Sequence, residues 1–435
     1  MAYRDDIQAL NPDHHWIFDG DLLDAVGSAD GTLSGTVITT GTVMSRDATT
    51  SMATQATTGY VGIASQTDIN SSALDRYAIG GWFSPTDIQD PPVAIWKQGT
   101  TSVGFGMVLG FGNNVTFEAW NGSTFGLQVF TDRVLSEVGD RPYHLFMAFE
   151  GSGFGNRFDA YLDGVKLEER IGGTPDSANM PAHSGGQARW GNAAAGSVGG
   201  TGVILVSAVN GRYNQWATFS GANAAALTDT DIRVELFEKG ALADDTISTD
   251  TEGNMQTALD AFSSTTRPDY PCCIEIEAVS GGGDFTLDLD NITFDDNASI
   301  HVRYNGTSGT LTLRNTNGSD CSIVSAPFGG SIELVTEINI TINAQDAVTR
   351  ADIENARVLV TADTGGPLAQ GTVIIDKVLT DVNGEVTTTF DYTSDQPIIG
   401  VIRKASSSPL YSENSFAATI TNQNLSQVVF LVRDE

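Results

Sequence analysis

Asp13-His14-His15-Trp16-Ile17-Phe18, running into DGDLLDAVGSADGTLSG at residues 19–35, opens one unit of this chain. Tyr213-Asn214-Gln215-Trp216-Ala217-Thr218-Phe219, running into SGANAAALTDTDIRVELFEKGAL at residues 220–242, closes it. Between them, short apolar runs alternate with polar residues at 77–83 (YAIGGWF), 105–111, 115–120, 143–149 and 157–162. A period of two predicts strands that bury one face and solvate the other, as sandwich strands do. Asp163-Gly164, inside YLDGVKLEE, is a hairpin signal because both positions of the favoured turn need positive φ. After Phe219 the period changes. Thr228 with Asp231 three residues on reads as a capping box, Ile232, Leu236 and Phe237 as a buried stripe, and Gly240 as the stop.

This order is an aromatic first strand, a D-x-x-G…D-G-T loop, a W-A-x-F strand and an L-T-x-x-D-I-x-x-L-F-x-x-G helix. It resembles the laminin-G-like, concanavalin-A-like jelly roll over about 240 residues. The resemblance implies a jelly roll at 1–243 and a role in sticking to surfaces, sugars or proteins, less often in catalysis. Related jelly rolls hold Ca²⁺ in loops such as 19–31, and Asp24 and Asp30 match their acidic positions. These two are the candidate metal ligands, and Ca²⁺ is the one candidate cofactor. A solvated polar turn accounts for the same residues.

Residues 244–335 read as a small β module with one helix at its start. Thr249 and Glu252 suggest a capping box, and Met255, Leu259 and Phe262 share one helix face. Strand-like runs follow at 273–277, 285–289, 299–304, 310–313 and 331–335. Their spacing fits either a small sandwich or a few solenoid turns. The turns are too few for a free-standing solenoid, which favours a compact module. Residues 336–435 resemble a carboxypeptidase-regulatory-like or Ig-like sandwich, on A-x-V-x-V at 356–360 and T-D-x-N-G-x-V at 380–386. Leu379–Thr387 reads as strand, Asn-Gly turn, strand. The tail from 399 resembles the C-terminal parts of tailed-phage structural proteins. The fold expectation is therefore all-β throughout, with two helices near 229–239 and 253–262.

Composition narrows the function. The chain has 435 residues, with 54 acids against 22 bases and a net charge of −32. Nucleic-acid or anionic-membrane binding needs clustered Lys and Arg, and the densest cluster is Arg403-Lys404. No apolar run is long enough to span a membrane. Three cysteines, Cys272, Cys273 and Cys321, do not make a disulfide framework or a zinc set. One of the adjacent pair could bond Cys321, leaving an odd thiol. The first residues have neither a basic nor an apolar segment of a signal peptide. An adhesin-like architecture without an export signal points to virion proteins, folded in the host cytoplasm and released by lysis.

Catalysis finds little support. Glycosidases on this fold carry E-x-D-x-E, which residues 1–240 lack, and Glu275-Ile276-Glu277 has no middle Asp. His14 and His15 point to opposite faces of a strand, so they do not reach one ion together, and the expectation is one buried and one exposed. His144 reads as structural. The six tryptophans sit mostly in alternating strands and read as core. Trp190, in a Gly-rich stretch, is the candidate for ligand contact. The expectation is a non-enzymatic structural protein of a tailed-phage virion: head decoration, head fibre or tail adhesin. Its partners would be other virion proteins and host surface glycans, with no nucleic acid and no membrane insertion. By family analogy it would be a homo-oligomer, most simply a trimer. The alternative is a bacterial surface or secreted glycan-binding adhesin.

Overall fold

The structure, a computed structural model, describes residues 3–35, 37–54, 59–64, 66–87, 93–99, 103–109, 114–121, 126–135, 141–151, 157–167, 170–172, 180, 182, 188–191, 196–198, 203–205, 207–208, 210–267, 270–289, 292–294, 298–315, 321, 324–392, 394–421 and 424–434. The protein is all-β, as its alternation predicts. It divides into two compact units. The first is Met1–Thr246 with Pro268–Glu275 and Asp295–Arg303. The second is Ile247–Arg267, Ile276–Phe294 and Tyr304–Glu435. The segment 244–335 is thus shared between the units instead of forming one of its own.

In the first unit most of the described strands form two large sheets. One centres on β2 (Arg76–Asp87), flanked by β3 (Tyr143–Glu150) and β4 (Asn210–Ser220), and β4 also pairs with β1 (His14–Trp16). The opening and closing stretches of sequence are therefore hydrogen-bonded neighbours, with His15 opposite Ala217 and Trp16 opposite Trp216. The second sheet includes Val93–Gly99, Val103–Leu109, Asn114–Asn121 and Ala188–Gly191. Trp16, Ile79, Phe83, Trp96, Phe117 and Trp216 belong to the large apolar core of this unit.

The expected solvated face of the first sheet is not solvated. Ala78, Trp82, Phe146 and Phe219 are buried in a second cluster with Tyr3 and Ile7 of the helix Tyr3–Ala9 and with Ile232, Leu236 and Phe237. A relay of hydrogen bonds ties this layer down. Trp216 Nε1 donates to Trp82 O (2.9 Å), Trp82 Nε1 to the Tyr3 hydroxyl (3.1 Å), and that hydroxyl to Leu236 O (2.5 Å). Gly81 is required by the packing, because a Cβ there would lie 2.5 Å from the Trp216 indole.

Two expected helices are present, and among the described residues three more were not foreseen, Tyr3–Ala9, Thr67–Ser71 and Gly221–Ala226. At the start of the helix Asp231–Glu238, Thr228 and Asp231 exchange hydrogen bonds reciprocally, at 2.8 Å and 3.1 Å. Asp163 and Gly164 both take positive φ, as their turn requires. The capping box expected at Thr249 does not form. The helix begins at Glu252, whose carboxylate accepts the N–H of Thr286 instead.

The second unit answers the question of sandwich or solenoid. β5 (Phe285–Asp288), β6 (Thr310–Asn315) and β7 (Ser331–Asp346) pair in parallel, Phe285 beside Leu311 and Leu311 beside Ile332. The turns stack as well: Thr307 N donates to Gly281 O, and Gly330 N to Gly306 O. These are solenoid coils, and they stand because both ends are covered. On the β5 edge, Glu252 and Gln256 accept the N–H groups of Thr286 and Asp288 (2.8 and 2.7 Å). At the other end β7 continues without a break into a sandwich. It pairs antiparallel with β10 (Glu385–Tyr392) and in parallel with β13 (Leu425–Leu431). The expected boundary at 335/336 lies inside this single strand.

The facing sheet of the sandwich runs β9 (Val373–Leu379), β8 (Arg357–Ala362), β11 (Gln396–Lys404) and β12 (Tyr411–Ile420). Ile338, Ile340, Ile342, Val358, Val360 and Ile402 are among its core residues. The strands flanking the Asn383-Gly384 turn belong to different sheets, so the turn crosses between layers and does not close a hairpin.

Candidate functional site

The loop after β1 holds a dense network of polar contacts. Asp24 lies at its centre with its side chain wholly buried. Its Oδ1 accepts from the N–H groups of His15, Val26 and Gly27 (3.0, 3.1 and 2.9 Å). Its Oδ2 accepts from Ala29 N (3.0 Å) and from His14 Nδ1 (2.5 Å). The other imidazole nitrogen of His14 lies 3.2 Å from Asp68 Oδ1. The loop wraps so tightly that a Cβ on Gly27 would sit 2.4 Å from His14 Nδ1, so only glycine fits there.

The electrostatics follow from this geometry. Burial works against charge on His14, but the bonds to Asp24 and Asp68 outweigh it and raise its pKa. Burial likewise works against the Asp24 carboxylate, and His14 with the backbone N–H groups overcomes it, holding the pKa well below the usual range. His15 faces the other way. It is fully buried, bonds Gln215 Oε1 at 2.8 Å, and is pushed down to about 4 by burial. The expectation of one buried and one exposed histidine is therefore corrected: both are buried, each with its own partner. His144 is also buried and lowered to about 4 by desolvation, its ring packed 5.2 Å from Trp82.

This arrangement does not fit Ca²⁺. A calcium site needs several free oxygens, and both oxygens of Asp24 are already taken by N–H donors. Asp30 Oδ1 accepts Asp24 N at 3.0 Å. Among the described residues no group of three or more acidic, His or Cys side chains converges as a metal site. The acidic pattern that suggested a metal is used as an internal anion that organises the loop.

Trp190 is not a surface platform. It is fully buried, with ring centroids 4.9 Å from Trp16, 4.9 Å from Phe18 and 4.7 Å from Trp96. Its strand is central to the second sheet, between Tyr60–Ile63 and Val93–Gly99, which turns the indole into the core. All three cysteines are buried free thiols, so no bond joins Cys321 to the pair. Asp68 and Gln215 were missed from the sequence because their partners lie far along the chain, and no local pattern marks such contacts.

No protein-family model matches the chain, and no curated protein matches it. Among solved structures it is similar to domain 4 of AbnA, a GH43 extracellular arabinanase from Geobacillus stearothermophilus, solved with arabinotriose. The identity there is 14%, the TM-score 0.39, and coverage 52% of this chain and 98% of that one. It is also similar to the binding domain of botulinum neurotoxin serotype D/C, at 13% identity and a TM-score of 0.39, covering 56% of this chain and 55% of that one. The chain thus spans about half the length of that binding domain. At these scores the likeness assigns no function.

Proposed function

We propose that this chain is a non-catalytic structural protein of a tailed-phage virion, a head decoration, head fibre or tail adhesin, that works by protein contact and by binding host surface glycans. The observation that carries the non-catalytic reading is the saturation of Asp24. The polar cluster around Asp24 spends its carboxylate on five internal donors and leaves neither oxygen of Asp24 poised toward a substrate. With its tryptophans packed inside, the first unit acts through its outer surface. The virion assignment is supported by the modular β architecture and by the phage-like tail sequence. Weak contacts suffice for such a part when many copies act together.

The test is to purify particles from a lysate and measure this chain by quantitative mass spectrometry and immunogold labelling. A fixed copy number at one place on the particle is expected. Recovery on bacterial surfaces with none on particles would overturn the virion reading in favour of a cellular adhesin. Turnover on a polysaccharide panel, abolished by one carboxylate substitution, would overturn the non-catalytic reading.

A further inference from the structure

In the second unit, Arg357 of β8 stands directly opposite Arg403 of β11, and Leu379 of β9 completes the row on the other side of Arg357. Along β8 the buried residues are Val358, Val360 and Ala362, and along β11 they are Gln396, Ile398, Gly400, Ile402 and Lys404. The two arginines therefore point away from the core and are exposed. Like charges directly opposite across two strands destabilise a sheet. Neither guanidinium has an ion pair or side-chain hydrogen bond among the described residues, in a chain with 54 acids and 22 bases.

The same two arginines line one cavity of about 290 Å³ with Asn355, Leu379, Ala405 and Ser406. No carboxylate is among these lining residues. Another groove of the second unit gives the contrast. Its Arg314 is paired with Asp391 at 3.4 Å, so its charge is already answered from within. In the Arg357 and Arg403 cavity no described residue answers the charge. Two arginines, Asn355 and Ser406 line a space near the lower size limit of ligand pockets, with Leu379 beside them.

We propose that Arg357 and Arg403, with Asn355 and Ser406, form a binding site for an oxyanion group, a carboxylate or a sulfate, carried on a ligand of about monosaccharide size. Guanidinium forks match such groups with paired N–H···O bonds. A bound oxyanion would also relieve the repulsion of the opposed charges. The proposal rests on geometry in the second unit and stands whether or not the virion reading does.

The experiment is titration calorimetry and ligand-observed NMR on the full chain with glucuronate, inorganic sulfate and neutral glucose, repeated on R357Q/R403Q. Both positions are exposed, so the variant is expected to keep its circular dichroism spectrum and to melt no lower than the parent. Glucuronate or sulfate is expected to bind the parent and glucose not to. The variant should lose about tenfold or more in affinity, since each 1.4 kcal/mol is a factor of ten and charged hydrogen bonds are worth at least that. Tighter glucuronate than sulfate would identify the carboxylate as the preferred group, and the reverse the sulfate. Equal response to glucose and glucuronate, or unchanged affinity in the folded variant, would overturn the site.

Discussion

Asp24 shows how much one buried side chain can hold. It fixes four backbone N–H groups and one imidazole, so replacing one of its oxygens with an amide NH2 removes the charge and leaves part of these donors without an acceptor. Breaking a buried charged pair costs about 3 kcal/mol or more. Asp24→Asn is expected to lose about that much, and the loss should depend on pH. The folded His14 pKa lies above its ordinary value, so its contribution is fully present below about pH 6.5 and fades as pH rises through the folded value. The folded Asp24 pKa lies below its ordinary value, so its contribution is present above about pH 4 and fades as pH falls through the folded value. The gap between parent and variant should be widest between those limits and narrow in alkali. His15, lowered to about 4, destabilises the fold on acidification in both proteins, so it largely cancels in the difference. Urea midpoints across this range decide it, and a gap independent of pH would contradict the His14–Asp24 pair. The sequence placed Asp24 and Asp30 in a special loop and left the reason open between a Ca²⁺ site and a polar turn. Acids spaced to bind a cation and acids spaced to cap N–H groups look alike in one dimension. Which donors meet them is settled by Gly27 and by residues more than forty positions on, such as Asp68.

At the scale of elements, period and turn chemistry were legible and layer order was not. The Asp163-Gly164 turn and the Thr228–Asp231 cap are local, and both formed. The burial of both faces of the first sheet was not legible, because Ala78, Trp82 and Phe146 alternate with residues that are equally apolar. The coils of the second unit were half legible. Their spacing was visible, but their covers were not, since Gln256 reaches across to Asp288 by a side chain and β7 runs through a boundary drawn between two strand-like runs. An open parallel edge is a template for another chain. E252A/Q256A therefore uncovers the N–H groups of Thr286 and Asp288. The expected cost is about 1 kcal/mol per lost hydrogen bond, because water replaces part of each. Light scattering should rise along with it. A variant of unchanged stability and unchanged scattering would show that the helix does not guard the edge.

For the whole molecule, charge sets the conditions of assembly. A net charge of −32 keeps copies apart when the ionic atmosphere is thin. The Debye length falls from about 30 Å at 0.01 M salt to about 10 Å at 0.1 M, so repulsion between exposed carboxylates weakens steeply over that range. If the protein works as a repeated part, it should be monomeric in dilute buffer and form a homo-oligomer, most simply a trimer, as salt rises. Multi-angle light scattering at both ionic strengths measures this. Calcium adds a second comparison. Because Asp24 has no free oxygen, Ca²⁺ should act only by screening, and Mg²⁺ at equal ionic strength should do the same. A calcium-specific rise in mass would mean that carboxylates other than Asp24 bind the ion. A strict monomer at every salt concentration, absent from purified particles, would contradict the multivalent role, since avidity needs copies held together.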